Sequence, residues 1–156
     1  MEMQEVLRSR IEQRLSEHSG LSNADYTVLA VLASAPGRRL RLVDLGARLG
    51  WERSRLHHQL TRMSRRGLVE RGPMPDAEDR RAIEAVLTDR GLSTIRDASR
   101  RHARDVRELV IDVLDDEQLK QLGDASAVLL TALRAHAPPL GGDHPAAALG
   151  ELADEV

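Results

Sequence analysis

The segment from Trp51 to Gly91, WERSRLHHQLTRMSRRGLVERGPMPDAEDRRAIEAVLTDRG, constrains the fold more than any other part of the chain. Leu56, Leu60 and Met63 recur at spacings of four and three, so about Glu52 to Arg66 reads as a helix with one apolar face. Gly67 ends that helix. LVER and AIEAVL then give two short strands around GPMPDAEDRR, and Thr88 is placed to cap a further helix. The prolines in this run and the lack of an Asn-Gly turn predict a longer, projecting loop, not a tight hairpin. Upstream, Val43 to Leu49 reads as a short helix stopped by Gly50, after an extended piece at Arg39 to Arg41. Short helix, glycine turn, basic helix and Arg-tipped hairpin together make a helix-turn-helix with a wing.

The rest of the chain supplies helices. Val6, Leu7, Ile11 and Leu15 form one stripe between Met3 and Glu17. Ser22 with Asp25 resembles a capping box opening a helix through Tyr26 and the run VLAVLA, which Pro36-Gly37 stops. From Thr88 a long helix is expected to about Leu114, with Leu92, Ile95, Ala98 or Ser99, His102, Val106, Leu109 and Val113 on its stripe. Asp115 with Gln118 starts another, carrying Leu119, Leu122, Ser126, Leu129 and Leu133 to about His136. With one Trp, one Tyr and no Phe, the core must come from aliphatic side chains, as in helix-on-helix packing. The expected class is mainly α with a small β-wing: a winged helix-turn-helix module plus N- and C-terminal dimerisation helices. Residues 1–20 form an N-terminal dimerisation helix, 21–91 the winged DNA-binding module, 88–136 the C-terminal dimerisation helices, and 137–156 a flexible acidic tail.

Charge points to the partner. The formal net charge is −2, yet residues 38–90 hold 13 Arg against 8 Asp or Glu, leaving the remainder net acidic. A basic middle between acidic ends meets phosphates without a globally basic composition. Zero cysteines exclude disulfides and thiolate metal sites within the sequence. No apolar run approaches the roughly 20 residues that span a bilayer, so a soluble, cytoplasmic protein without membrane contact is expected. No nucleophile elbow, P-loop, dinucleotide fingerprint or HExxH is present, and catalysis is not expected.

The run from Gly50 to Arg71, with Asp79-Arg80-Arg81, Leu87-Thr88 and Gly91 in register behind it, resembles the MarR (multiple antibiotic resistance regulator) family of winged-helix transcription factors. The family's wing signature reads D-x-R, a strand, then L-[ST]-x-x-G. The resemblance covers about Ile11 to Arg134. Two departures stand out: the first helix begins almost at Met1, and Val43 occupies a position where many relatives carry a capping Ser or Thr. The resemblance implies a homodimer on double-stranded DNA, repression through a pseudo-palindromic operator, and a small-molecule effector between dimerisation helices and winged module. It implies no cofactor.

Site residues follow from the helix pattern and the resemblance together. Arg53, Ser54, Arg55, His57, His58 and Arg62 project from the recognition helix. By family position His57, His58 and Arg62 are expected at base edges or adjacent phosphates, with Arg53 and Arg55 as phosphate anchors. At the wing the resemblance puts Arg81 in the minor groove, Arg80 as its alternative, and Asp79 as a brace. Neighbouring His57 and His58 sit about 100° apart on a helix, which opposes a shared metal ion. His102, Asp105, Glu108 and Asp112 lie near one face and are read as a solvated charged surface, not a metal site. Tyr26 and His18 lie where an effector pocket could form but are read as core and surface; no ligand residues are assigned. The competing function is a winged helix for protein contact with no operator of its own.

Overall fold

The computed structural model describes residues 2–74 and 82–136, without the side chains of Arg134 and His136. Helix α1 (Glu2–Ser19) leads into α2 (Asn23–Ser34), strand β1 (Arg39–Arg41), α3 (Leu42–Leu49) and α4 (Arg53–Arg65). Strands β2 (Val69–Pro73) and β3 (Ile83–Leu87) follow, then α5 (Asp89–Val106) and α6 (Asp116–His136). The fold is mainly helical with one small antiparallel sheet, as expected. Among the described residues, no helix is long and apolar enough to cross a membrane.

Helix α2 is the centre of the core. Tyr26, Val28, Leu29, Ala30, Val31 and Leu32 are all buried, so its apolar surface is covered on every side. Leu15, Leu45, Leu56, Leu60, Met63, Leu68, Val69, Ala85, Leu87 and Ile95 close around it. The expected capping box is present: Ser22 Oγ accepts from Asp25 N at 3.1 Å, and Asp25 Oδ2 accepts from Ser22 N at 3.0 Å.

The sheet runs in the order β1-β3-β2, with Arg39 opposite Val86 and Val69 opposite Leu87. Strand β2 extends past LVER to Pro73, which pairs with Ile83. Proline is tolerated there because β2 is an edge strand.

Two expectations for these helices are corrected, and the expected start of α6 is met. The long helix after Thr88 does not stay regular to Leu114: α5 ends at Val106, and Arg107–Ile111 form a π-helical turn closed by Asp112 N donating to Arg107 O at 2.8 Å. The wider turn rotates later side chains off the stripe, and Val113 is exposed. Asp105 is not solvated but buried, because α1 crosses α5 and Arg14 bonds Asp105 at 2.9 Å and Glu108 at 2.8 Å. Helix α6 begins at the expected reciprocal cap, Gln118 N to Asp115 Oδ1 at 2.8 Å and Asp115 N to Gln118 Oε1 at 3.1 Å. Its apolar residues find little cover, with Leu129 62% and Leu133 65% exposed.

The junction of winged module and α5 shows why the L-T-x-x-G pattern occurs. Thr88 Oγ1 accepts from Gly91 N at 2.9 Å, capping α5, and donates towards Gly67 O at 2.7 Å and Leu68 O at 3.0 Å. This draws the first turn of α5 onto the end of α4. A Cβ on Gly91 would lie 2.1 Å from Leu68 O and 2.8 Å from Leu87 Cδ1.

Two predictions follow. Glycine to alanine inside an unobstructed helix gains about 1 kcal/mol, whereas overpacking costs roughly 1–3 kcal/mol. The clash here is with backbone, which cannot swing aside, so Gly91→Ala should lower stability in urea or thermal melts; a stabilised variant would refute the close approach. The second concerns His102, half-buried against Tyr26 with ring centroids 5.1 Å apart. Burial holds its pKa below the ordinary 6.5, and Asp105 only partly opposes this. The unfolded chain therefore binds this proton at higher pH than the folded one. Stability should be full above about 6.5 and decline as pH falls through the folded value. His102→Gln should flatten that acid limb in a Tm–pH series; an unchanged limb would exclude His102 as its source.

Candidate nucleic-acid interface

The two helices of the motif meet at Gly50, whose φ of 62° is left-handed. Gly50 N donates to Ala47 O at 3.2 Å and Trp51 N to Gly46 O at 3.0 Å, so the turn satisfies the last carbonyls of α3. Leu45 anchors α3, and Leu56, Leu60 and Met63 anchor α4. The helical period then turns Arg53, Ser54, Arg55, His57, His58 and Arg62 outwards, and all six are exposed. One face of α4 therefore carries three guanidiniums, two imidazoles and a hydroxyl. Glu52 precedes α4 without a side-chain cap, leaving the positive end of the helix open to an anion. Arg41 precedes α3, also without a side-chain cap, and Val43 lies exposed within the first turn of that helix.

Several of these side chains are already oriented. The Arg55 guanidinium carbon stands 4.3 Å from the centroid of the Trp51 ring. Arg71, on β2, places Nη1 3.1 Å from His57 Nδ1. A guanidinium only donates, so this contact is a hydrogen bond when Nδ1 carries no proton. The contact ties α4 to the wing strand. The His57 and His58 rings meet edge to face at 6.2 Å. Among the described residues, no group of three or more His, Asp or Glu is placed to hold a metal ion.

Asp79, Arg80 and Arg81 lie outside the described residues. The strands that flank them are paired as far as Met74 N to Ala82 O at 2.9 Å, and Arg41 Nε reaches Met74 Sδ at 3.3 Å. Arg41 and Arg71 add exposed positive charge on the strands, and Arg71 lies beside α4.

A polar cluster behind α4 was not anticipated from the sequence. Gln59 is only 3% exposed and donates from Nε2 to Asp25 Oδ1 at 2.6 Å. Its Oε1 accepts from Arg62 Nη2. Arg66 Nη1 bonds Asp25 Oδ2 at 2.8 Å while Nη2 bonds Gly20 O at 2.8 Å. The signal was a glutamine between Leu56 and Leu60 on the inward side of an amphipathic helix, a position where a polar group must find a partner.

Comparison with known proteins agrees with this geometry. A model of the MarR family matches residues 19–82. No curated protein matches the chain. AbsC, a MarR family transcriptional regulator from Streptomyces coelicolor, is 36% identical with a TM-score of 0.72, covering 86% of this chain and 89% of AbsC. Sco3205, a MarR family regulator from the same organism solved in complex with DNA, is 31% identical with a TM-score of 0.72, covering 90% and 87%. An organohalide-sensing transcriptional regulator in its 2,4-dichlorophenol-bound form shares the fold at 21% identity, with a TM-score of 0.69 and coverage of 92% and 82%. With identity above 30% over most of both chains in two relatives, the chain belongs to the MarR family of transcriptional regulators.

Proposed function

We propose that the protein is a sequence-specific transcriptional regulator that binds a pseudo-palindromic operator in duplex DNA as a homodimer and represses by occupying it. The observation that carries this reading is α4: all six of its proposed contact residues lie on the exposed side of a helix anchored by Leu56, Leu60 and Met63. Such a helix suits the major groove, with Arg62, His57 and His58 at base edges and Arg53 and Arg55 on phosphates. Arg81 is proposed to enter the adjacent minor groove, with Arg80 as the alternative and Asp79 bracing the loop. The DNA-bound state of Sco3205 supports the same mode here.

Dimerisation is supported by apolar surface left uncovered on one protomer. Val113, Val128, Leu129, Leu130 and Leu133 are all more than half exposed, as are Met3 and Val6 on α1. A second copy with two-fold symmetry buries such a face against itself, and it sets two recognition helices for half-sites about one helical turn apart. A small-molecule effector is proposed where α1 meets α5, beside His18, Arg101 and His102. The crevice there encloses about 0 Å³ of free volume, against the roughly 300 Å³ or more of ordinary ligand pockets. An effector must therefore widen it, which couples binding to the relative placement of the helices. The 2,4-dichlorophenol complex of the organohalide-sensing regulator gives the class of molecule to try first.

Selection of genomic fragments by the purified protein, followed by gel shifts across a salt series, tests the reading. Affinity for the selected duplex should fall by about 10³-fold or more between 50 and 200 mM salt. Arg81→Ala should weaken all sites and lower the salt slope by about one, and Arg62→Ala should also alter base preference. A strictly monomeric protein that ignores every duplex at low ionic strength would overturn the proposal and favour a protein-contact module.

A further inference from the structure

Arg62 is the proposed base-reading residue whose internal partner is buried, and the chemistry of that partner is directional. Gln59 lies on the buried side of α4 with its amide between Asp25 and Arg62. A carboxylate only accepts and a guanidinium only donates. The amide therefore has one satisfied orientation: nitrogen to Asp25 at 2.6 Å and oxygen to Arg62. Flipping it would set oxygen against carboxylate and NH₂ against guanidinium, breaking both bonds inside a buried site. Asp25 is itself immobilised by Ser22 N at 3.0 Å and Arg66 Nη1 at 2.8 Å, and Arg66 is tied to Gly20 O at the α1–α2 junction.

From this arrangement we infer that Gln59 is a positioning residue that determines operator specificity: anchored on Asp25, it fixes the direction in which Arg62 presents its remaining N–H groups to the major groove. The inference rests on the DNA-binding reading above and deepens it. A free arginine side chain has many rotamers and spends its charge on any nearby phosphate. One anchored through a single nitrogen keeps the rest of its fork for a planar, two-acceptor target, and the major-groove edge of guanine offers one. Gln59 never touches DNA in this scheme. It converts a general cation into a directed reader.

The test uses the full chain and a randomised duplex pool, comparing wild type with Gln59→Met, Gly91→Ala, Arg62→Ala and the Gln59→Met/Arg62→Ala double variant. Thermal melts of each run in parallel. Methionine keeps the length and burial of Gln59 but cannot accept from Arg62. Gly91→Ala lowers stability through its clash with Leu68 O and leaves Asp25, Gln59 and Arg62 as they are. The expected result is that Gln59→Met loses about tenfold of the preference at the same base pair that Arg62→Ala relaxes. The double variant should be no more relaxed there than Arg62→Ala alone, since the two act as one unit. Gly91→Ala should melt lower yet keep the wild-type preference. The inference is overturned if Gln59→Met keeps the wild-type profile while Arg62→Ala relaxes it. It is equally overturned if base preference tracks melting temperature across all variants, or if Gln59→Met binds more tightly because Arg62 was held away from DNA. An inert Arg62→Ala removes Arg62 as a reader and the inference with it, while duplex binding stands. Failure of wild type to bind any duplex would sink the underlying reading itself.

Discussion

Helix α2 is enclosed on all but its Asn23–Thr27 edge, and the placement of everything else refers back to it. Its buried run from Tyr26 to Leu32 meets α1, α3, α4, α5 and the sheet. Each fully buried large aliphatic side chain contributes about 1.5–3 kcal/mol, and interiors pack as densely as crystals. A shared rod of this kind leaves neighbours little freedom to move independently. Leu60 and Met63 lock α4 to it, and Ile95 locks α5, so the exposed face of α4 and the body behind it share one reference.

The polar N-terminus of that rod follows a different logic. Asp25 is 4% exposed, and a carboxylate so placed loses hydration that hydrogen bonds must replace. Ser22 N, Gln59 and Arg66 supply them. The Arg66 side chain is itself 41% exposed, so solvent screens much of its attraction and the ion pair adds little net stability. What the cluster provides instead is direction: it fixes hydrogen-bond polarity across the seam between α2 and α4, where an apolar contact would fix only distance. Buried polar groups confer that kind of uniqueness only when every member is satisfied, as these are.

Most of the architecture was legible in the sequence because the dominant signals are local. Apolar spacing located the helices, and Ser22-Asp25 and Asp115-Gln118 marked two starts by reciprocal capping chemistry that the structure reproduces. Gly50 and Thr88 marked boundaries for equally local reasons. The illegible parts depend on partners distant in sequence. Asp105 looked like a solvated acid until α1 brought Arg14 from 91 residues away. Gln59 carries no local signal of its role, which depends on Asp25 brought by α2 from 34 residues away. The π-helical turn at Arg107–Ile111 has no proline or glycine to announce it. On the site, the outward residues of α4 could be read because a helix with one apolar stripe has only one other side. Their internal tethers, Arg71 to His57 and Gln59 to Arg62, could not.

The charge balance raises a physical question that the fold answers. A chain of net charge −2 approaching a polyanion should be repelled at long range. At physiological salt, however, the Debye length is about 8 Å, shorter than α4 itself at about 1.5 Å per residue over its 13 residues. A phosphate at the helix therefore senses mainly the exposed Arg53, Arg55, Arg62 and Arg71 and little of the acidic remainder. Local charge supplies contact without making the whole molecule adhere to every duplex, an economy that favours selective over indiscriminate binding. In the proposed dimer this modest local attraction acts twice. Once one module is seated, the second meets its half-site at high effective concentration, so affinity accrues only where both half-sites have the right spacing. The uncovered apolar face of α6 is then part of the recognition chemistry as much as the arginines are, since it would set that spacing.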